Sequence, residues 1–143
     1  MSSFRKEFNV KVNLGSGRVI DVDVFEQLHI DTSDILEELL NQPSKYALWA
    51  TVHEVNAIKL ENVRKELTNV GSSRYHEVFK QFTNVQVQQH LLTTIKKAFQ
   101  YRTQVLLVLL NNPEDKNVLA LYKKHIRALK DNVPYGSTTQ EVI

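Results

Sequence analysis

The amino-acid sequence predicts a mostly α-helical protein, with long amphipathic helices and a β-hairpin near its N-terminus. Two observations predict this fold class. Apolar residues alternate with polar ones only before residue 25, whereas after residue 33 they recur every three or four positions. The 143 residues include only four Gly and three Pro, which favours long regular elements with few loops. We expect one domain over residues 1–132, built as a helical bundle or an oligomeric helical assembly.

Residues 7–25 form the predicted β-hairpin. The alternating apolar positions are Phe8, Val10, Val12 and Leu14 in one strand and Ile20, Val22 and Val24 in the other. Between them, Gly15-Ser16-Gly17 fits a three-residue type I turn that ends in a glycine bulge. This turn sets the register, which pairs Phe8 with Val24, Val10 with Val22, Val12 with Ile20 and Lys11 with Asp21. A lone hairpin is marginal in water, so we expect its apolar face to lie on helices, or its edges to pair with other chains.

Residues 33–130 form the predicted helical region. Asp34 and Glu37 make a D-x-x-E capping pattern before the first apolar positions. Pro43 disfavours helical geometry at the preceding residue, which predicts a kink or the start of a new helix. A long helix then covers about residues 44–70, and Gly71 begins a pause before the next helical stretch.

Two further helices and a tail are predicted after this pause. Thr83 or Asn84 supplies the N-cap of the first helix. Asn112 caps the last helix, and Pro113 suits its first position because a residue there needs no backbone N–H. Residues 133–143 are predicted to be a disordered tail.

Self-association is predicted from the apolar surface of the long helices. Residues 105–110, VLLVLL, are apolar on every side of one helix end, and a narrow apolar stripe needs a facing surface. We expect a homo-oligomer whose interface includes Trp49, Val105, Leu106, Leu109 and Leu110. The alternative is a compact antiparallel bundle in which one chain buries these residues itself.

No catalytic or metal-binding motif is visible in the sequence. The chain has no Cys, which excludes disulfides, thiolate zinc sites and cysteine nucleophiles. No two of the five His residues are three or four positions apart, and there is no phosphate-binding glycine loop or nucleophile elbow. Asp21 and Asp23 share one face of the hairpin, where a solvated face is favoured over a cation site. We therefore expect a protein that is not an enzyme and uses no metal or cofactor.

Membrane association and secretion are not predicted either. The first ten residues, MSSFRKEFNV, are too polar for a signal peptide, and no apolar run approaches the ~20 residues that a spanning helix needs. The absence of Cys suits a reducing compartment. We expect a cytoplasmic protein.

Basic residues form two sets that point to an anionic partner. In the last helix a narrow sector opposite the apolar face contains Lys116, Lys123, Arg127 and Lys130. This sector is either an ordinary solvated face or a row of cations that binds successive phosphates. The second set mixes charge with aromatic rings and comprises Arg64, Lys65, Arg74, Tyr75, Lys96, Lys97 and Arg102. Single-stranded nucleic acid is held by such combinations of basic grooves and aromatic platforms, so this set predicts a nucleic-acid contact.

The stretch IDTSDILEELLNQPSKYALW, Ile30 to Trp49, resembles the start of the UvsY family, the recombination mediators of T4-like phages. The matching motifs are Ile30-Asp31-Thr32-Ser33 and Tyr46-Ala47-Leu48-Trp49. Residues 53–67 look like the long charged helix of that family, and residues 85–109 are similar to its later helix. The resemblance covers about residues 30–110, whereas the hairpin and the last helix lie outside it.

The resemblance implies a function without enzymatic activity. Proteins of this family form ring-like homo-oligomers, bind single-stranded DNA and help load a RecA-type recombinase by displacing the single-strand binding protein. The family's DNA contact matches Arg74, and we add Arg64, Lys65 and Lys80 as neighbouring charges. The protein would then act in the host cytoplasm. The alternative is an oligomeric helical adaptor, scaffold or inhibitor that binds another protein.

Overall fold

The fold is mostly helical, with an N-terminal β-hairpin, as the sequence predicts. The structure, a computed structural model, describes residues 9–13, 18–132 and 139–142. In chain order its elements are β1 (Asn9–Asn13), β2 (Val19–Asp23), α1 (Val24–Leu28), α2 (Ile35–Asn69), α3 (Ser72–Asn111), α4 (Lys116–Asn132) and β3 (Thr139–Val142).

The hairpin has the predicted register. β1 and β2 are antiparallel, with Val10 opposite Val22, Val12 opposite Ile20 and Lys11 opposite Asp21. The two β1 valines are fully buried and the charged pair is exposed, so the alternation of the sequence selects the inner face. The predicted turn at residues 15–17 and the pairing of Phe8 lie outside the described residues.

The β-hairpin ends at Asp23, two residues earlier than the sequence predicts. The Asp23 carboxylate accepts hydrogen bonds from the backbone N–H groups of Phe25 and Glu26, at 3.1 and 3.2 Å. Such a bond pattern is an N-cap, and it starts the five-residue helix α1, which the alternation of Val24 with its neighbours concealed. Capping is thus what the structure assigns to Asp23.

The predicted tail contributes a third strand. Thr139–Val142 pair in parallel with β1, which gives the strand order β2-β1-β3. The prediction of disorder is therefore wrong for these four residues. A free strand edge offers unpaired backbone N–H and C=O groups to which another segment can bind. Because this pairing uses backbone groups, a short polar segment that takes part in it shows little sign of a strand in its own sequence.

The two long helices form an antiparallel pair. α2 has 35 residues and α3 has 40, so they extend about 52 and 60 Å at 1.5 Å per residue. Gln42 donates to Thr103 near one end of the pair, and Asn56 donates to Gln89 farther along, at 2.9 Å in both cases. Only Val70 and Gly71 separate the helices.

Some predicted helix boundaries are right and others are wrong. Asp34 caps α2 through a bond from the Glu37 N–H, as predicted. The restart at Pro43 and the cap at Thr83 are wrong, because α2 and α3 continue through these positions. Pro43 is exposed, and the Thr83 hydroxyl donates to the Phe79 carbonyl inside the helix, at 3.0 Å.

The last helix starts later than predicted. Asp115, and not Asn112, supplies the cap, because its carboxylate accepts from the N–H groups of Asn117 and Val118, both at 3.1 Å. Pro113 therefore belongs to the turn between α3 and α4 and is not the first residue of a helix. Asp and Asn are equally favoured at the N-cap, so the local sequence pattern does not choose between Asp115 and Asn112.

The core is thick where the sheet and α4 cover the helix pair, and thin at the other end. Val10, Leu28, Trp49, Leu92 and Phe99 belong to the largest cluster, in which the Trp49 and Phe99 rings stack at 6.0 Å. At the far end the buried apolar residues between α2 and α3 are Val63, Val78 and Val85. We call this far part, residues 54–85, the distal hairpin.

Four of the five predicted interface residues lie inside a single chain. Trp49, Val105, Leu106 and Leu109 are each at most 1% exposed, so they are not available to a second copy. The compact alternative is correct for these residues, because α4 and the sheet provide the facing surface that the sequence left open. Leu110 is 46% exposed and remains on the surface.

A buried arginine joins α1, α2 and α3 at the base, by which we mean the end of the helix pair opposite the distal hairpin. Arg102 is fully buried on α3, and its Nε and Nη2 donate to the carbonyls of Leu28 and His29 at 3.2 and 2.8 Å. Its Nη1 donates to Gln42 Oε1, and Nη2 lies 3.1 Å from a carboxylate oxygen of Glu38. The guanidinium therefore fixes the connection between α1 and α2 to both long helices.

Gln42 and Tyr122 complete this network. Gln42 Nε2 donates to the Phe99 carbonyl at 2.8 Å, and the Tyr122 hydroxyl of α4 donates to the Leu28 carbonyl. Burial raises the pKa of the Tyr122 hydroxyl, which keeps the donor protonated. Every polar group named here has a partner, which is the condition under which a buried ion pair is tolerated.

The first prediction concerns Arg102. We expect Arg102→Met to lower the free energy of unfolding by about 3–5 kcal/mol, because it removes the cation that pairs with the Glu38 carboxylate and the donor to Gln42 and to the carbonyls of Leu28 and His29. Urea titration followed by circular dichroism measures the loss. The matched control is Lys97→Met on an exposed site of the same helix, which should change stability by less than about 0.5 kcal/mol. Equal effects of the two substitutions would contradict the assigned role.

The second prediction concerns the distal hairpin. We expect its backbone amides to exchange with deuterium faster than those of residues 92–106, because few apolar contacts resist local opening there. Hydrogen exchange followed by mass spectrometry on peptides from each region makes the comparison. Equal protection along α3 would show that the helix pair opens only as one unit.

Candidate functional site

The distal hairpin presents five of the predicted nucleic-acid contacts, all of them exposed. They are Arg64 and Lys65 on α2 and Arg74, Tyr75 and Lys80 on α3. They do not all face one groove. At 100° per residue Lys80 is about 140° around α3 from Tyr75, so it lies on a different side of the helix.

Neighbouring carboxylates compensate much of this charge. Arg64 pairs with Glu61 at 3.2 Å, and Arg74 pairs with Glu66 at 3.6 Å. Residues 54–80 contain five Lys or Arg and four Glu, a net charge of only +1. The members of both pairs are exposed, and such pairs contribute about 0–1 kcal/mol, so another anion can replace the carboxylate at low cost.

The distal hairpin also carries an exposed pair of aromatic rings. Tyr75 and Phe79 stack with their centroids 6.0 Å apart and their planes at 18°, and they are 49% and 46% exposed. The Arg64 guanidinium lies over Phe82, 5.8 Å from the ring centroid. Exposed aromatic rings on a segment that carries arginines can stack on a nucleobase. Phe79 was missed in the sequence, although its position four residues after Tyr75 places both on one helix face.

Lys96, Lys97 and Arg102 do not extend this surface. Lys97 is exposed and Lys96 is half-buried, but Lys97 is 23 residues from Arg74 on the same helix, roughly 35 Å away. Arg102 is fully buried, so its assignment to nucleic-acid binding is wrong. The signal was present in the sequence, since Arg102 interrupts the apolar stripe of its helix at an inward position.

α4 carries a higher density of positive charge than either long helix. It contains Lys116, Lys123, Lys124, Arg127 and Lys130, and Asp131 is its only acidic residue, so it carries +4. The whole chain carries +2, so the remainder carries −2. The opposite side of α4 is apolar as predicted, with Tyr122 and Leu129 buried. The His125 and Tyr101 rings are nearly perpendicular, with their centroids 5.1 Å apart.

A groove separates α4 from α1 and the connection that follows α1. Its volume is about 340 Å³, and it is lined by Phe25, Leu28, His29, Ile30, Leu119, Tyr122, Lys123, Ile126, Arg127 and Lys130. The sequence predicted the α4 side of this groove only as a helix face. The facing side was missed because α1 was read as the end of a strand.

No metal centre or membrane-spanning element is found in the part of the chain that the structure describes. Within it, no group of three or more His, Asp or Glu side chains is placed to hold a metal ion. None of its helices is both long enough and apolar enough to cross a bilayer. Inside the α2–α3 interface, His53 Nε2 contacts Thr93 Oγ1 and Gln89 Nε2, at 3.0 and 3.1 Å.

Comparison with known proteins gives no relative on which to base a function. No protein-family model, no curated protein and no solved structure matches this chain.

Proposed function

We propose that the protein is a single-stranded DNA-binding recombination mediator without enzymatic activity. It would act as a homo-oligomer in phage homologous recombination and repair, and help load a RecA-type recombinase onto DNA covered by single-strand binding protein. The observation that carries the proposal is the exposed Tyr75–Phe79 stack on the segment that also carries the exposed Arg64 and Arg74. The resemblance of residues 30–49 to such mediators supports it.

The distal hairpin can bind a single strand through two kinds of contact. A base stacks on the exposed Tyr75 and Phe79 rings, and the phosphates beside it replace Glu61 and Glu66 as partners of Arg64 and Arg74. The phosphates release condensed counterions when they bind, which favours the exchange at low salt. Lys65 adds a further charge on the α2 side.

Exposed leucines at the base supply the surface for self-association. On α2, Leu36 and Leu40 are 59% and 67% exposed and one helical turn apart. On α3, Leu107 and Leu110 are 50% and 46% exposed. The pairing of Glu38 with Arg102 places both sets at the same end of the helix pair. These leucines, and not the buried residues first assigned, are the proposed interface.

The third prediction concerns DNA binding. We expect affinity for a fluorescein-labelled oligothymidylate to fall steeply between about 50 and 200 mM salt. Tyr75→Ala should weaken binding about 5-fold to 150-fold, as loss of one stacked base predicts, and Arg74→Ala should weaken it for all sequences. Fluorescence anisotropy gives the affinities.

Arg18→Ala is the matched control for this experiment, because Arg18 is exposed and precedes β2, away from the distal hairpin. It removes the same charge as Arg74→Ala and should leave affinity nearly unchanged. Affinity that is indifferent to salt, or equal losses in Arg18→Ala and Arg74→Ala, would contradict the proposed interface.

The fourth prediction concerns oligomeric state. We expect light scattering at micromolar concentration to give a mass that is a multiple of the 16.5 kDa chain. Leu40→Lys should shift the mass toward the monomer, because it places a charge in the proposed interface. Asn41→Lys, at the adjacent exposed site, is the control. A monomeric wild-type protein would refute self-association.

The second candidate function is that of an oligomeric adaptor, scaffold or inhibitor that binds another protein. The observation that favours it is the near balance of charge on the distal hairpin, a net of +1 over residues 54–80. This candidate shares the oligomer but requires no affinity for DNA. A gel shift with single-stranded and duplex oligonucleotides separates the two functions.

A further inference from the structure

We infer that the groove between α1 and α4 binds a short acidic protein segment that carries a large apolar side chain. This inference goes beyond the proposed function, because the groove is at the base of the molecule and shares no residue with the distal hairpin.

The floor of the groove is apolar and already formed. Leu28 is fully buried, and Phe25, Ile30 and Tyr122 are 7%, 6% and 3% exposed. The Tyr122 hydroxyl is held by the Leu28 carbonyl, so the floor presents mainly ring and aliphatic carbon. A volume of about 340 Å³ is near the lower end of the ~300–1,000 Å³ range of ligand pockets. It therefore suits one or two large side chains.

The rim of the groove on α4 is positively charged. Lys123, Arg127 and Lys130 line it at spacings of four and three residues, so they share one side of the helix. The Lys130 ammonium lies 5.2 Å from the centroid of the Phe25 ring, at the edge of the floor. Among the described residues, no carboxylate is within ion-pair distance of Lys123 or Arg127.

This combination of floor and rim selects the chemistry of the partner. An apolar side chain would displace water from the floor, and carboxylates beside it would reach Lys123 and Arg127, which are about 6 Å apart along the helix axis. The +4 charge of α4 against −2 for the rest of the chain would steer an acidic segment to this side. A polynucleotide satisfies the rim but not the floor, since Phe25 and Tyr122 are too buried to stack on a base.

The experiment uses a fluorescein-labelled peptide of about ten residues, with four Asp followed by Leu and Phe, and anisotropy of the full chain as the readout. We expect saturable binding that weakens at least about tenfold in Arg127→Glu and in Lys123→Glu, because each places a like charge beside the carboxylates. Lys65→Glu makes the same charge change on the distal hairpin and should leave peptide affinity within about twofold.

Two altered peptides test the floor and the rim separately. Replacing Leu and Phe with Ser, or the four Asp with Asn, should each weaken binding at least about fivefold, because each removes one of the two contacts. Absence of peptide binding to the wild-type chain, or equal losses in Lys65→Glu and Arg127→Glu, would overturn the inference. So would an oligothymidylate that competes with the peptide and loses affinity in Arg127→Glu, since the occupant would then be nucleic acid.

The outcome is independent of the proposed function. If the distal hairpin fails to bind DNA, peptide binding at the base is unaffected. If the peptide fails to bind, the salt dependence of DNA affinity and the effect of Tyr75→Ala on that affinity still test the proposed function.

Discussion

The arrangement of the base depends on the buried guanidinium of Arg102. This guanidinium on α3 contacts both α2 and the connection after α1, and its partner Glu38 also accepts a hydrogen bond from the Asp31 N–H at 2.7 Å. A cation removed from water needs acceptors in a fixed geometry, so the carbonyls of Leu28 and His29 must stay where they are. Those two residues also line the groove, and the same interaction that organises the core therefore sets the position of one wall of a surface site.

Local patterns in the sequence predicted the elements whose partners are close in sequence. The register of β1 and β2 followed from alternation, and the Asp34 cap followed from a four-residue motif, because both are decided within a short segment. Features that depend on distant contacts were not predictable in this way. β3 pairs with β1, which is far away in the sequence, and α2 passes through Pro43, with the buried residues Ile35 and Trp49 in the helical turns before and after it.

In the candidate sites, too, the sequence predicted some features and not others. The positions of Lys and Arg in the sequence correctly predicted positive charge on α4 and on the distal hairpin. They did not distinguish a buried arginine from an exposed one. Arg102 and Lys97 are both basic neighbours of Phe99, yet one is in the core and the other in solvent. Helical phase separates them, since Arg102 falls on the apolar stripe and Lys97 does not. The position of Arg102 on the apolar stripe therefore predicts a core residue and not a ligand contact.

The parallel pairing of β1 with β3 has a consequence for the order in which the chain folds during synthesis. Asn9 and Thr139 are partners across 130 residues, whereas β1 and β2 meet across a short turn. A ribosome therefore exposes β1 with one edge open until nearly all of the described chain has been made. An open strand edge can pair with strands from other chains. This protein is therefore most exposed to edge-to-edge aggregation after the β1–β2 hairpin has been synthesised and before β3 pairs with it.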